Sequence, residues 1–349
     1  MPVSARKVFS TAGLPAARRI ERWESHNAAA LIGLDVRAAG PLEATEVNVQ
    51  LPEVRLARVR GSAHAVERTA RVIDRCPADS VAIYLSLRGD ASFTGADGPR
   101  DLRPGDALVC ATDRPFFRGF ARGLEELVVT VPCGALRARA DIPPLGRSMI
   151  TSFRAADDRG ERASARLSGT RRYARALARL TGRATGPRPT PPPDEGMMLD
   201  LAAVLVAGRD AAPATAHRAA ARCYIDEHLT NPRLSAQEVA AAIGISERQL
   251  SRVFAADRTS VPRHVLTRRL QLAYSLLAGQ DQPRPSPPGA TVAEVAARCG
   301  FTSAAYFSHA FFLHFGLRAG DVRRGASFLF PPCLAARLGP AARCGQAHA

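Results

Sequence analysis

Arginine supplies nearly all of the positive charge of this chain. The formal net charge of the 349 residues is +16 at pH 7, and Lys7 is the only lysine. A guanidinium binds phosphate oxygens through paired hydrogen bonds, and each neutralised phosphate releases condensed counterions. The charge therefore favours a polyanionic partner. Because arginine and alanine are abundant from end to end, charge alone does not separate a nucleic-acid surface from a solvated one.

Side chains that could act in catalysis or hold a metal ion are sparse. No histidine lies between His64 and His217, and the sequence has no phosphate-binding P-loop, dinucleotide-binding glycine motif or G-x-S-x-G nucleophile elbow. Zinc and iron sites in β-barrel enzymes need clustered histidines and carboxylates. The sequence therefore predicts no catalytic residue, no metal site and no cofactor.

The cysteines and the N-terminus bear on the cellular compartment. Seven cysteines are scattered without a C-x-x-C pair, and we expect buried free thiols. The N-terminus lacks an apolar signal-peptide core, and no run of about eighteen apolar residues occurs. These features predict a cytoplasmic protein without a membrane partner.

Short apolar runs separated by glycine, proline and aspartate extend from residue 47 to residue 131, which is typical of β-strands. Gly95-Ala-Asp-Gly98 predicts a hairpin turn, because glycine adopts the positive φ that other residues resist. Pro104-Gly105-Asp106 predicts another tight turn. Strands at this spacing predict a small β-barrel or sandwich.

The later part of the chain has helical character. Residues 162–180 are rich in alanine, arginine and leucine, and residues 181–193 form a stretch rich in proline, glycine and threonine. Residues 197–206 are apolar on nearly every side, so their helix should be buried. From residue 219 to residue 324 the pattern is helical, apart from one proline-rich interruption.

An internal repeat lies within this last region. Ser235-Ala-Gln-Glu238 places a hydroxyl at a helix N-cap and a carboxylate three residues later, which predicts a reciprocal capping box. Gly244-Ile245 makes a turn, and Ser246-Glu-Arg-Gln249 opens a second helix in the same way. The second copy consists of Thr291-Val-Ala-Glu294, Gly300-Phe301 and a helix that starts near Ser303.

The repeat has the plan of a helix-turn-helix motif, in which the second helix enters the major groove of DNA. Leu250 and Phe254 predict the buried stripe of the first such helix, and Phe307 and Phe311 correspond to them at an offset of 57 residues. Either copy alone could be a helical hairpin that merely packs, whereas two copies in register favour DNA recognition. Residues 262–277 predict a connecting helix that separates the two.

Several blocks, in order, resemble the AraC/XylS family of transcriptional regulators. They are Tyr224–Leu229, Leu234–Ala240, Ser246–Phe254, Val295–Phe301 and Tyr306–Phe311. The segment from Phe9 to Pro132 resembles, more diffusely, the cupin-like regulatory domain of some members. The resemblance implies a sequence-specific regulator, an activator at family level, controlled through its N-terminal domain by a small-molecule effector or a partner.

The expected fold class is therefore α+β and multidomain, with an N-terminal cupin-like β-barrel with flanking helices and a C-terminal all-α tandem helix-turn-helix domain. We expect a regulatory domain over residues 1–145 and a helical segment with a proline-rich linker over residues 146–213. The DNA-binding domain should span residues 214–325, and residues 326–349 should form a flexible tail.

The positions that family members aim at bases can be carried over to both recognition helices. In the first they correspond to Arg248, Ser251 and Arg252, and an arginine fork can bind guanine O6 and N7, worth roughly 1–3 kcal/mol of discrimination. In the second they correspond to Ala304, Ala305, Ser308 and His309. The family usually has arginine in place of His309 and further basic residues where Phe312, Leu313 and His314 stand.

Two other features depart from the family pattern. Residues 280–289 contain four prolines and lengthen a connection that is usually shorter, although loop closure becomes only slowly more costly with length. After Gly316-Leu317 the expected proline is replaced by Arg318, so the start of the helix near Asp321 is less well specified.

The resemblance also implies partners. We expect double-stranded promoter DNA, RNA polymerase, a small organic effector and a homodimer. Candidate effector-wall residues are Tyr84, Phe93, Phe116 and Phe117, although aromatic residues on strands are often ordinary core. The alternatives are a nonspecific or architectural DNA-binding protein, and a cupin-type enzyme fused to a DNA-binding domain.

Overall fold

The computed structural model describes residues 6–139, 145–154, 168–187, 193–207, 214–278 and 291–324. The chain divides into two compact units, Met1–Cys223 and Tyr224–Ala349. The proline-rich insertion at 280–289 and the expected tail at 326–349 lie outside the described residues.

The described strands belong to the first unit and form two antiparallel sheets. They are β1 (Arg6–Ser10), β2 (Asp35–Arg37), β3 (Ala44–Gln50), β4 (Arg55–Gly61), β5 (His64–Arg68), β6 (Ser80–Arg88), β7 (Ala91–Gly95), β8 (Gly98–Leu102), β9 (Asp106–Ala111), β10 (Phe116–Phe120), β11 (Leu124–Pro132) and β12 (Met149–Ser152). The large sheet has the order β1-β3-β4-β11-β6-β9-β12, and the small sheet has the order β2-β5-β10-β7-β8.

Strand alternation places one apolar core between the two sheets. On β10, Phe116 and Phe120 face this core, whereas Phe117 faces outward, because successive side chains point to opposite sides of a strand. The predicted turns form, with positive φ at Gly98 and Gly105. The expected β-rich, cupin-like domain is confirmed, although the described strands form two open sheets rather than one closed barrel.

Five of the described α-helices surround the sheets of the first unit, and the fourth of them packs on the face of the large sheet that is turned away from the core. Those of the first unit are α1 (Arg19–Ala30), α2 (Ala70–Arg75), α3 (Cys133–Arg137), α4 (Ser168–Ala184) and α5 (Glu195–Ala207). Helix α4 packs on β4 and β11, so β11 is buried on both faces. Helix α5 packs against α3 and α4, and residues 198–206 are all buried, which confirms the predicted buried helix.

The second unit is helical throughout the part that the structure describes. Its elements are α6 (Ala214–Glu227, which crosses from the first unit), α7 (Ala236–Ile243), α8 (Glu247–Ala255), α9 (Val261–Leu277), α10 (Val292–Arg298), α11 (Ala304–Phe315) and α12 (Ala319–Arg323). The hydroxyls of Ser235, Ser246, Thr291 and Ser303 each accept a hydrogen bond from a backbone N–H at their helix start.

The capping boxes differ between the two copies. At α10 both halves form, since the Glu294 carboxylate accepts from the Thr291 N–H at 2.7 Å. At α7 the prediction of a reciprocal box is wrong, because Glu238 Oε1 accepts from the Tyr224 hydroxyl at 3.2 Å. A contact with α6 has replaced the local one. Helix α12 begins after Arg318 without a side-chain cap.

Candidate nucleic-acid interface

The packing of α7 against α8 decides which side of α8 is exposed. Leu250, Val253 and Phe254 are buried, and Gly244 ends α7 with the left-handed φ of 65° that lets the chain turn sharply. The predicted stripe of Leu250 and Phe254 is thereby confirmed. The opposite side of α8 must face away from the core.

Arginine dominates that outer side. Arg248, Arg252 and Ala255 follow the spacing i, i+4, i+7, which places them along one stripe, and all three are exposed. Ser251 lies beside them and is also exposed. Within the described residues, neither guanidinium of Arg248 and Arg252 has a hydrogen bond or an ion pair, so both forks are available to a ligand.

Helix α11 repeats the arrangement with different chemistry. Phe307 and Phe311 are fully buried, as predicted, and Ala304, Ala305, Ser308 and His309 are exposed. The Ser308 hydroxyl donates to the carbonyl oxygen of Ala304 at 2.9 Å, so its proton is already used within the helix.

The outer stripe of α11 is Ala305, His309 and Phe312, which correspond to Arg248, Arg252 and Ala255 at the offset of 57 residues. Phe312 is 49% exposed, and the neighbouring Leu313 is 70% exposed. Phe312 and Leu313 are absent from our predicted site residues. The repeat register could have identified Phe312, since its counterpart Ala255 lies on the arginine stripe.

Helix α9 connects the two motifs through Arg269. Its guanidinium donates to the carbonyl oxygens of Leu229 at 2.9 Å and Asn231 at 2.6 Å. Gly300, in the turn between α10 and α11, has a φ of 83°, and a Cβ there would lie 3.0 Å from the carbonyl oxygen of Thr230 and 3.1 Å from Arg269 Nε. The second turn therefore needs glycine both for its backbone angle and for the close approach of this carbonyl and the arginine.

The four candidate effector residues do not come together. Tyr84, Phe93 and Phe116 are buried between the sheets, where the rings of Phe93 and Phe116 are 6.0 Å apart. Phe117 is 37% exposed on the opposite side of β10. It lines an open cleft of about 660 Å³ together with His64, Leu102 and Phe120.

Charged side chains that sequence reasoning missed lie inside the front unit. Arg118 donates to both oxygens of Glu126, at 3.0 and 2.7 Å, and its guanidinium lies 3.9 Å from the centre of the Tyr84 ring. Burial opposes the charge on Arg118, but Glu126 outweighs it and raises the pKa of the guanidinium. Strand alternation places Arg118 on the same face as Phe116 and Phe120, which was the available signal.

A second buried carboxylate lies on β3. Glu46 is fully buried, with the His26 Nε2 atom 3.6 Å from Oε1, and His26 stacks on Phe9 with ring centres 4.3 Å apart. The interior of the front unit therefore holds charged groups at Glu46 and at the Arg118–Glu126 pair, and also at Arg68, which is fully buried and donates to the carbonyl oxygens of Thr112, Gly33 and Cys76. Among the described residues, no cluster of three or more histidine, cysteine or acidic side chains could hold a metal ion.

No helix among the described segments is long and apolar enough to cross a membrane.

Comparison with known proteins accounts for both units. Residues 23–208 match the model of the AraC-binding-like domain, and residues 239–325 match a helix-turn-helix domain. The transcriptional activator RhrA of Rhizobium meliloti (strain 1021) is 31% identical over 109 residues, which is 31% of this chain and 33% of RhrA. The match thus spans about a third of that relative's length.

Two solved structures are also similar. The AraC-like transcriptional activator CuxR is 18% identical with a TM-score of 0.41, over 78% of this chain and 96% of CuxR. The C-terminal domain of AraT, a response regulator from Geobacillus stearothermophilus, is 28% identical with a TM-score of 0.26, over 30% of this chain and 82% of that domain.

The two family models define a DNA-binding transcriptional regulator with a ligand-binding-like domain in front of its helix-turn-helix region. Because the AraC-binding-like model alone covers more than half of the chain, the protein belongs to the AraC/XylS family.

Proposed function

We propose that this regulator is a sequence-specific activator that reads promoter DNA with α8 and α11 and responds to a small organic effector through its front unit. The stripe of Arg248 and Arg252 carries the proposal. Two exposed guanidiniums without a partner among the described residues, on the second helix of a helix-turn-helix motif, suit bidentate binding of guanine O6 and N7. Ser251 lies beside them and offers its hydroxyl group for a hydrogen bond to the DNA.

In this proposal α11 reads the adjacent half of the DNA site with Ala304, Ala305, Ser308 and His309. These side chains offer methyl contacts and at most neutral hydrogen bonds, which are weaker than charge-assisted ones. The first motif therefore supplies most of the specificity.

The cleft beside Phe117 is our candidate for the effector. Its volume of about 660 Å³ suits a small organic molecule, and its lining combines the aromatic wall that Phe117 forms with the imidazole of His64. Burial lowers the pKa of His64, which favours the neutral imidazole at pH 7. Tyr84, Phe93 and Phe116 would then act as core that supports this wall.

Activation implies contact with RNA polymerase, and a homodimer would place two copies on one promoter. The description of RhrA as a transcriptional activator supports the activator role. We also propose the domain limits given above, with residues 214–325 as the DNA-binding domain. The fragment 214–324 should fold alone and bind DNA. An unfolded fragment, or promoter binding by the front domain instead, would contradict these limits.

Selection of binding sites from randomised duplex DNA tests the proposed function. The full chain should enrich one sequence, and its affinity for that sequence should exceed its affinity for a scrambled one at every salt concentration. Equal affinities with equal salt slopes would favour the nonspecific, architectural alternative. Stoichiometric iron or zinc in the purified protein would favour the enzyme alternative.

A further inference from the structure

The outer stripe of α11 is more apolar than that of α8. Ala305 replaces Arg248, and Phe312 replaces the small residue Ala255. Phe312 and the adjacent Leu313 are both largely exposed, on the side of the helix away from Phe307 and Phe311. Adjacent exposed apolar side chains on a folded protein mark contact surfaces. A partner that presents apolar groups of its own would complement this face.

The repeat identifies that partner as DNA. At the offset of 57 residues, Ala305, His309 and Phe312 occupy the positions of Arg248, Arg252 and Ala255. Both helices open at a serine N-cap after a glycine turn and bury the same two aromatic or aliphatic positions. If the stripe of α8 faces the major groove, the same three positions of α11 face it too.

His309 is the one polar side chain among the three residues of this stripe, and the neighbouring Ser308 adds little. Ser308 spends its hydroxyl proton on the Ala304 carbonyl, and Ala305 and Phe312 have no polar side-chain atom. The apolar group that base pairs display in the major groove is the 5-methyl of thymine, and alanine and phenylalanine are among the side chains that contact it.

We propose that α11 reads thymine 5-methyl groups through Ala305 and Phe312, with Leu313 at the edge of the contact. This inference rests on the proposed function, because it assigns the chemistry that the second recognition helix detects. The two motifs then read different groove features: α8 reads guanine acceptors, and α11 reads thymine methyls.

Replacement of thymine by deoxyuridine tests the proposal on the full chain. Deoxyuridine keeps every hydrogen-bonding group of thymine and lacks only the methyl. The selected site is first divided into two halves by base substitution. The half under α8 contains the base changes that weaken binding of the wild type but do not weaken binding of Arg248→Ala. In the other half, deoxyuridine at a contacted thymine should weaken binding about fourfold, the value for one buried methyl group.

Variant proteins connect the effect to the side chain. Phe312→Ala should lose the sensitivity to deoxyuridine at one thymine while its circular dichroism stays that of the wild type. Val8→Ala is the matched control, because Val8 is a comparably exposed apolar residue of β1, and it should keep the full sensitivity. Deoxyuridine in the half under α8 should have no effect.

Two results would overturn the proposal and leave the proposed function intact. One is a specific site that tolerates deoxyuridine at every thymine. The other is unchanged deoxyuridine sensitivity in Phe312→Ala. If deoxyuridine has no effect and Phe312→Ala instead converts a dimer to a monomer without DNA, the face is a contact between two copies. Failure to select any sequence would overturn the proposed function itself.

Discussion

The two helix-turn-helix motifs of this protein share their buried positions and differ on their exposed ones. Leu250 and Phe254 correspond to Phe307 and Phe311, and all four are fully buried. Outside, α8 has two exposed arginines where α11 has alanine and histidine. The residues that make the fold and the exposed residues that we propose face DNA occupy opposite sides of one helix, so they can vary independently.

Helix starts show the same separation. Every serine or threonine cap of the repeat forms, because a cap bonds its own helix and depends on local sequence alone. The reciprocal glutamate bond forms only at α10. At α7, the hydroxyl of Tyr224 on the preceding helix donates to the Glu238 carboxylate instead. Tyr224 is 14 residues away in sequence, so the local capping pattern does not reveal this contact.

The largest expected effect comes from the shared cores. Phe254→Ala and Phe311→Ala should each lower the free energy of unfolding by roughly 3–5 kcal/mol, since each empties a fully buried site. Chemical denaturation followed by circular dichroism would measure it. Phe312→Ala is the matched control and should change stability by less than about 0.5 kcal/mol. An equal cost for Phe311→Ala and Phe312→Ala would contradict the shared core.

The next effect concerns the first recognition helix. Arg248→Ala and Arg252→Ala should each weaken specific binding roughly 5-fold to 150-fold, the equivalent of about 1–3 kcal/mol, with little change on scrambled DNA. Binding titrations on both DNAs at one salt concentration would measure this. Arg263→Ala, at an exposed arginine of α9, should change both affinities by the same factor. Uniform loss in the α8 variants would show that these arginines touch phosphate.

A smaller effect should appear when α11 is made more like α8. His309→Arg should raise specific affinity about fivefold, because charged hydrogen bonds exceed neutral ones by about 1 kcal/mol. The gain should be confined to the half-site under α11, as footprinting with base substitutions would reveal. No gain, together with equal sensitivity of both half-sites in the wild type, would contradict the asymmetry between the motifs.

The smallest expected effect is on stability in acid. His314 lies in the last turn of α11, next to Leu313. Burial lowers the pKa of its imidazole below the ordinary value of 6.5. The unfolded chain then binds the proton more strongly than the folded chain. Above about pH 6.5 His314 is neutral in both states and does not change the free energy of unfolding. Below that pH its protonation favours the unfolded chain, so the free energy of unfolding falls. His314→Gln should reduce the fall between pH 7 and pH 5.5, measured by denaturant midpoints. An unchanged slope would show that His314 does not contribute.

Much of the fold follows from local pattern. The turns at Gly98, Gly105, Gly244 and Gly300 were predicted from glycine, and each has a positive φ. The stripes of the recognition helices were predicted from spacing. Which way Phe117 points was not predicted, because an aromatic residue next to Phe116 on a strand must face the opposite side, and the sequence does not tell which side is the core.

The interior charges were also missed, for a related reason. Arg118 and Glu126 are eight residues apart and lie on β10 and β11, in different sheets, and they pair only because those sheets face each other. A buried charge is tolerated only when its partner is in place. Sequence pattern could put Arg118 on the inner face, but it could not supply the carboxylate that makes that position stable.

The sequence by itself determined the helix caps, the glycine turns, the buried stripes and the repeat register that aligns α8 with α11, because each depends on residues only a few positions apart or on a fixed offset. Tertiary structure decided which side of β10 became core, where Glu238 found its partner and how Arg118 was neutralised. Those outcomes depend on groups that folding brings together from different elements of the chain. The free energy of burying a polar group depends on which hydrogen-bonding or charged partners lie beside it in the folded protein.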